Sequence, residues 1–176
     1  MRAILDACVL FPSVLREMLI GAADLGAYKP IWSARILDEW RHAAARLGDK
    51  EGGIARTEIA LLRAAYPLAE VTPTPLDDIT LPDPDDVHVL AAAVAGQADY
   101  LVTKNLRDFP NRVVGRFNVI VSDPDVMLLS LLEEGWDIEG VVQRTVARTE
   151  AISGREQPLR ALMRRAGLPR LGKRLG

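Results

Sequence analysis

The stretch LPDPDDVHVLAAAVAGQADYLVTKN, residues 81–105, constrains the fold of this 176-residue chain more than any other. Asp83 is a good N-cap, Pro84 suits a first helical position, and the acids Asp85 and Asp86 favour the positive end of a helix. The spacing predicts a helix to about Ala95, stopped by Gly96, and then a strand over Tyr100–Thr103 with no polar alternation. A helix feeding directly into a strand that is apolar on both faces is the repeating unit of a parallel sheet covered by helices.

The rest of the chain reads the same way. RAILDACVL is an apolar run broken by one acid, which predicts a buried first strand ending in a functional loop. Ser13 to Leu25 has helical spacing, with Val14, Leu15, Met18, Leu19 and Ala22 on one face and Gly26 as the stop. Lys29 to Trp32 reads as a short extended link, and Ser33 as the cap of a helix whose stripe is Ile36, Trp40, Ala43 and Leu47. Asp49 to Gly53 reads as a loop, Thr57 to Ala65 as a helix, and Ala69 to Pro75 as extended chain. Asn118 to Val121 is another strand, followed by a helix opened by Asp123 and Pro124 and containing Met127 to Leu132. Beyond Gly135 two helices are expected, about Ile138 to Ala151 and Leu159 to Arg165, and then a Gly/Pro/Arg-rich end expected to fray. The pattern is α/β with a central parallel sheet, residues 1–125 forming the main domain and residues 126–176 a basic helical extension.

Composition narrows the chemistry. The only cysteine is Cys8, which excludes an intrachain disulfide and a thiolate-bound zinc cluster. An acid at Asp6 interrupts the first apolar run before it reaches signal-peptide length, and no stretch of about twenty apolar residues follows, so an unexported, cytoplasmic protein without a membrane span is expected. The net charge of −2 hides an asymmetry: from residue 141 onward there are nine bases and two acids, which leaves −9 for the residues before. Acids gathered in a pocket attract divalent cations, whereas a basic tail suits nucleic acid, an acidic partner or plain solvent.

In an open parallel sheet, ligands sit outside the carboxyl ends of the strands, so acids placed there converge whatever their separation in sequence. Asp6 ends the first strand, and Asn105 and Asp108 follow the strand that ends at Thr103. Asp86 stands one turn before Val89 and Leu90 and therefore on the core-facing side of its helix. Glu39 lies between Ile36 and Ala43, beside an apolar stripe. Carboxylates and a carboxamide without histidine or cysteine ligands make a hard oxygen site suited to Mg2+ or Mn2+. Each residue has a plainer reading as well. Asp6 can form a turn, Glu39 can pair with Arg35 one helical turn back, and Asn105 and Asp108 can close an Asx turn. Asp83 and Asp85 are accounted for as capping residues, and His42 and His88, with no ligand partner in sight, as structural.

In this order, MRAILDACVL, a helical Glu39, DDVHVLAAA and LVTKNLRDF resemble the PIN-domain nucleases, most closely the bacterial VapC-type toxins, over residues 2–125. The resemblance implies a PIN-like three-layer sandwich around the parallel sheet. It implies endonucleolytic cleavage of RNA, transfer RNA among its targets, with Mg2+ or Mn2+ and with 5′-phosphate and 3′-hydroxyl products. Asp6, Glu39 and Asp86 match the family's metal-binding and catalytic acids, and Asn105 and Asp108 its more variable fourth corner. Lys104, Arg107 and Arg112 fall near the expected catalytic mouth, where they can touch RNA phosphates. A homodimer and a small antitoxin protein are the partners implied. The chain departs from the pattern at Cys8, where the family often has Asn or Ser to orient the first acid; a thiol is the weaker hydrogen-bonding group. Two other readings stay open here. One is a degenerate PIN module that binds RNA or a protein without cutting. The other is a phosphatase of the haloacid dehalogenase type, whose second acid, two residues after the first, is again replaced by Cys8.

Overall fold

A computed structural model describes residues 1–176, which form two compact units: Met1–Phe11 with Lys29–Ser122, and Pro12–Tyr28 with Asp123–Gly176. The first unit is an α/β fold around a five-stranded parallel sheet, ordered β3-β2-β1-β4-β5, from β1 (Arg2–Leu5), β2 (Lys29–Ser33), β3 (Glu70–Val71), β4 (Tyr100–Val102) and β5 (Ile120–Ser122). Ile4 of β1 lies in register between Ile31 and Leu101, and all three are essentially inaccessible to water. A strand with two strand neighbours and helices on both faces must be apolar on both sides, as β1 and β4 are.

The strands are joined through α1 (Ala7–Leu10), α3 (Ala34–Ala45), α4 (Asp49–Ala65), α5 (Val87–Ala95) and the short α6 (Asn111–Val114), while α2 (Ser13–Asp24) belongs to the second unit. Ser33 caps α3 as expected, its Oγ accepting from the Ile36 N–H at 3.3 Å. The α5 helix follows a single 3-10 turn, Pro84–Asp86, which Asp83 opens by accepting from the Asp85 N–H at 2.9 Å.

Three local expectations for this unit are corrected. The run RAILDACVL is a strand only to Leu5; its second half is α1, in which the Val9 and Leu10 amides donate to the Asp6 carbonyl. Lys29 to Trp32 is a sheet strand rather than a link. The Lys29 N–H points to β1, donating to the Met1 carbonyl at 3.0 Å. The nitrogen of Pro30 therefore faces the other side, where β3 pairs only with Trp32 and Ser33 and no ladder bond is lost. Asp49 to Gly53 is the first turn of α4 rather than a loop. A Cβ on Gly52 would lie 3.2 Å from the Ala45 Cα, so glycine here lets α4 approach α3 closely.

The second unit packs α2, α7 (Pro124–Glu133), α8 (Ile138–Ser153), α9 (Leu159–Arg165) and α10 (Pro169–Leu175) around Leu15, Met18, Leu19, Leu128, Val142 and Met163. The chain end expected to fray is instead α10. Leu168 and Leu171 are fully buried, and the buried Asp125 carboxylate accepts from the Arg170 N–H at 2.8 Å and the Leu171 N–H at 2.9 Å. A carboxylate across the first amides of a helix meets both its unpaired donors and its dipole. No helix of the chain is long and apolar enough to cross a membrane.

Candidate active site

The order of the sheet fixes where a site can form. Chain connectivity runs outward from β1 to β2 and β3 on one side and returns to β4 and β5 on the other, so the carboxyl ends of β1 and β4 flank the point where the winding reverses. Asp6 follows β1 there and Thr103 follows β4. The Asp6 N–H donates to the Val102 carbonyl at 3.1 Å and the Thr103 N–H to the Ser122 carbonyl at 3.1 Å, which fixes both backbones one residue beyond their strands.

Asp6 is only 5% exposed, so its carboxylate needs donors. The Thr103 hydroxyl donates to Asp6 Oδ2 at 2.7 Å, and the Cys8 thiol donates to the same oxygen at 3.0 Å. Thr103 Oγ1 in turn accepts from the Asn105 N–H at 3.0 Å, and Cys8 Sγ from the Lys104 N–H at 3.3 Å. Burial, followed by the negative charge of Asp6, pushes the Cys8 thiol up to about 12, which keeps it protonated and donating near neutral pH. Sequence reasoning doubted this thiol as an orienting group and missed Thr103. The usable signal was a hydroxyl residue at the end of an apolar strand, beside the one that carries the acid.

Glu39, half-buried on α3, accepts on Oε1 from His88 Nε2 at 2.8 Å and from Arg35 Nε at 3.3 Å. The Arg35 pairing is the one that helix spacing allows. His88 is not isolated, contrary to expectation: its side chain is 10% exposed and bridges from α5 to Glu39. Burial, then the Arg35 charge, holds His88 down at about 4, so near pH 7 a neutral imidazole donates to the Glu39 carboxylate. The carboxylate can only accept, so Nε2 carries the proton, and Nδ1 is left buried without a partner. Burial likewise raises the Glu39 carboxyl, against the lowering effect of Arg35.

Asp86 is half-buried whereas the Asp85 side chain next to it is 92% exposed, in keeping with the helix phase read from the sequence. Its carboxyl is pushed up to about 6, first by burial and then by the negative charges of Asp6, Asp83, Asp108 and Glu39. Asp6, Glu39 and Asp108 therefore lie within electrostatic reach of Asp86, and Asp6 also acts on Glu39. Asn105 precedes the 3-10 turn Leu106–Asp108 and Asp108 ends it; the Asn105 side chain makes no capping bond, which removes the Asx-turn reading for it. Lys104, Arg107 and Arg112 are exposed on the following segment.

No three His, Cys, Asp or Glu side chains stand close enough to one point to hold a metal ion in this arrangement. The donor set nevertheless fits a divalent cation. All four acids offer hard oxygens, and burial together with the charges of its acidic neighbours raises Asp86.

Against this geometry, a family profile described as PIN domain matches residues 2–107, a span that contains the sheet edge, Asp6, Glu39, Asp86 and Thr103. No curated protein and no solved structure matches the chain. The chain belongs to the PIN-domain family, whose members are usually metal-dependent nucleases.

Proposed function

We propose that the protein is a magnesium- or manganese-dependent endoribonuclease, the toxin of a VapC-like toxin–antitoxin pair, with its chemistry in residues 1–125. Asp6, Glu39 and Asp86 are the catalytic acids and would hold the cation, with Asn105 and Asp108 at the fourth corner. The observation that carries this reading is Asp86, whose carboxyl is raised to about 6 by burial and by four neighbouring acids at the winding reversal of the sheet. A carboxyl perturbed by burial together with specific neighbouring charges is a functional-site candidate. When bound, the cation would supply a water of lowered pKa and charge stabilisation for the phosphodiester.

The chain's own residues have definite tasks in this scheme. Thr103 and Cys8 both donate to Asp6 Oδ2 and so fix the plane of that carboxylate. His88 and Arg35 hold Glu39 through Oε1. Lys104, Arg107 and Arg112 contact phosphates of the RNA, which position the strand without reading its sequence. The substrate is structured RNA such as transfer RNA, and the products carry a 5′-phosphate and a 3′-hydroxyl. The protein acts in the cytoplasm as a homodimer, and a small antitoxin restrains it by covering the acidic groove.

End-mapping of cellular RNAs after brief induction, beside the Asp86→Asn variant, tests this. Discrete magnesium-dependent ends in the wild type alone are expected; identical end patterns in the two overturn it. One observation favours a second reading, a PIN module that binds RNA without cutting it: Glu39 Oε1 is already engaged twice and no three acids converge on one point. RNA bound but left intact with magnesium present would establish that reading. The phosphatase alternative lapses with the family match.

A further inference from the structure

The end of the chain presents charge of one sign on a fixed scaffold. From Gln157 to Gly176 there are six bases and no acid, and every one of the six bases is exposed. Arg165 Nη2 donates to Gln157 Oε1 and is held aside by it. Arg160 and Arg164, one turn apart on α9, and Lys173 on α10 line a cleft of about 230 Å³ together with Pro169 and Gly172. At roughly 30 Å³ per water molecule, that space admits a phosphate group and several waters. The ion pairs of this unit, Arg144 with Asp137 and Arg148 with Glu17, lie elsewhere and leave the cleft positive.

Two packing features hold these cations in place. Asp125 clamps the first turn of α10 through the Arg170 and Leu171 amides. A Cβ on Gly172 would lie 2.7 Å from the Met163 Cβ, so glycine allows α10 to seat tightly on α9 and brings Lys173 beside the two arginines. A surface ordered before it binds spends little entropy on binding.

We propose that this cleft binds the phosphate backbone of RNA, through forked arginine contacts and the Lys173 point charge. The choice of nucleic acid as the polyanion rests on the nuclease reading above, and the surface itself supports it. The exposed large apolar residues of this unit are Val126 and Ile152, neither on α9 nor on α10, so there is no wedge for a bilayer. Pro169 alone offers an apolar edge in the cleft, so an acidic peptide would find no anchor. With −9 on residues 1–140, the rest of the chain attracts a polyanion only locally, and a separate basic surface supplies what it lacks.

The test uses the full-length chain carrying Asp6→Asn, in chelator, and a fluorescent single-stranded RNA of mixed sequence. Its affinity is measured as salt rises fourfold from about 50 mM. Neutralising three phosphate contacts lowers the slope of log K against log salt by about 2, since each contact on a single strand contributes about 0.7. The unaltered cleft should therefore lose roughly twentyfold more affinity across that range than Arg160→Gln/Arg164→Gln/Lys173→Gln. The same charge change at exposed sites just after α3 and on α4, Arg46→Gln/Lys50→Gln/Arg56→Gln, should leave the slope unaltered, and Arg160→Lys/Arg164→Lys should keep it. Equal slopes for cleft and control variants, absence of RNA binding at low salt, or retention by anionic vesicles in place of RNA would each overturn the proposal. The nuclease reading fails separately: RNA that binds through the cleft but is never cut when Asp6 is intact sinks that reading and leaves this one standing.

Discussion

Replacing Asp86 with Asn separates the cost of gathering acids from the benefit of the ion they would hold. The folded-state carboxyl sits at about 6 against an ordinary 3.8, so between those values the native state binds more protons than the unfolded chain. Stability therefore falls as pH rises from about 4 to about 6, and the full penalty stands at pH 7. At about 1.36 kcal/mol per pH unit the penalty would be about 3 kcal/mol. The side chain is only half-buried, and solvent screening cuts this to about 1–2 kcal/mol. Asp86→Asn removes it, so the metal-free variant should melt about 3–6 °C higher than the wild type at pH 7 and should lose the slope between pH 4 and 6. Magnesium at a hundred times its dissociation constant stabilises the wild type by about 2.7 kcal/mol, and the variant, one ligand short, gains much less. Thermal melts of both proteins in chelator and in excess magnesium, at pH 4.5 and 7, read every term. A wild type indifferent to magnesium, or a variant that gains as much, refutes the shared site; a metal-free variant less stable than wild type at pH 7 refutes the repulsion.

Asp6→Asn and Glu39→Gln should each lower RNA cleavage more than about a hundredfold, beyond what losing a partner of a metal ligand costs, with the fold retained by circular dichroism. Asp83→Asn should change little, because Asn is also a good N-cap; equal damage at Asp83 and Asp86 would move the third acid. Thr103→Val removes the shortest bond to Asp6 and should weaken magnesium binding roughly 10–100-fold by calorimetry, while Thr103→Ser restores it; loss of stability without loss of metal affinity would make Thr103 structural only. Asp125→Ala takes both charge-assisted bonds from the start of α10 and should cost roughly 3 kcal/mol in denaturant unfolding and deprotect the Arg170 and Leu171 amides to hydrogen exchange.

The parts of the fold that could be read from sequence are those whose signal is local. β1 and β4 are continuous apolar runs, α5 and the 3-10 turn that leads into it have cap, proline and stop within fourteen residues, and Ser33 announces α3. β2 was obscured because Lys29 and Pro30 do not look like strand residues, and only their position before β3 begins makes them acceptable there. The C-terminal helix was hidden for the opposite reason: its composition reads as loop, and what orders it is Asp125, far back in the chain on α7. Among the candidate site residues, the strand ends and helix phases singled out Asp6, Glu39 and Asp86, and in the structure Asp6 and Glu39 both lie within electrostatic reach of Asp86. His88 escaped because its bond to Glu39 joins two helices whose packing the sequence does not state.

Cys8 shows how far a departure from a family pattern can mislead when it is judged one residue at a time. As a substitute for Asn or Ser a thiol is the weaker donor, and the inference drawn from it was a loosely oriented Asp6. Asp6 Oδ2, however, receives its shorter bond from Thr103, a hydroxyl brought from the neighbouring strand by sheet register rather than by sequence proximity. With that bond in place, Cys8 has only to remain protonated and close, and its burial beside a carboxylate, which pushes its thiol up to about 12, keeps it so. The arrangement also limits what Cys8 can do. A thiol so hard to ionise is a poor nucleophile and a poor metal ligand near neutral pH, so Cys8 serves Asp6 as a hydrogen-bond donor.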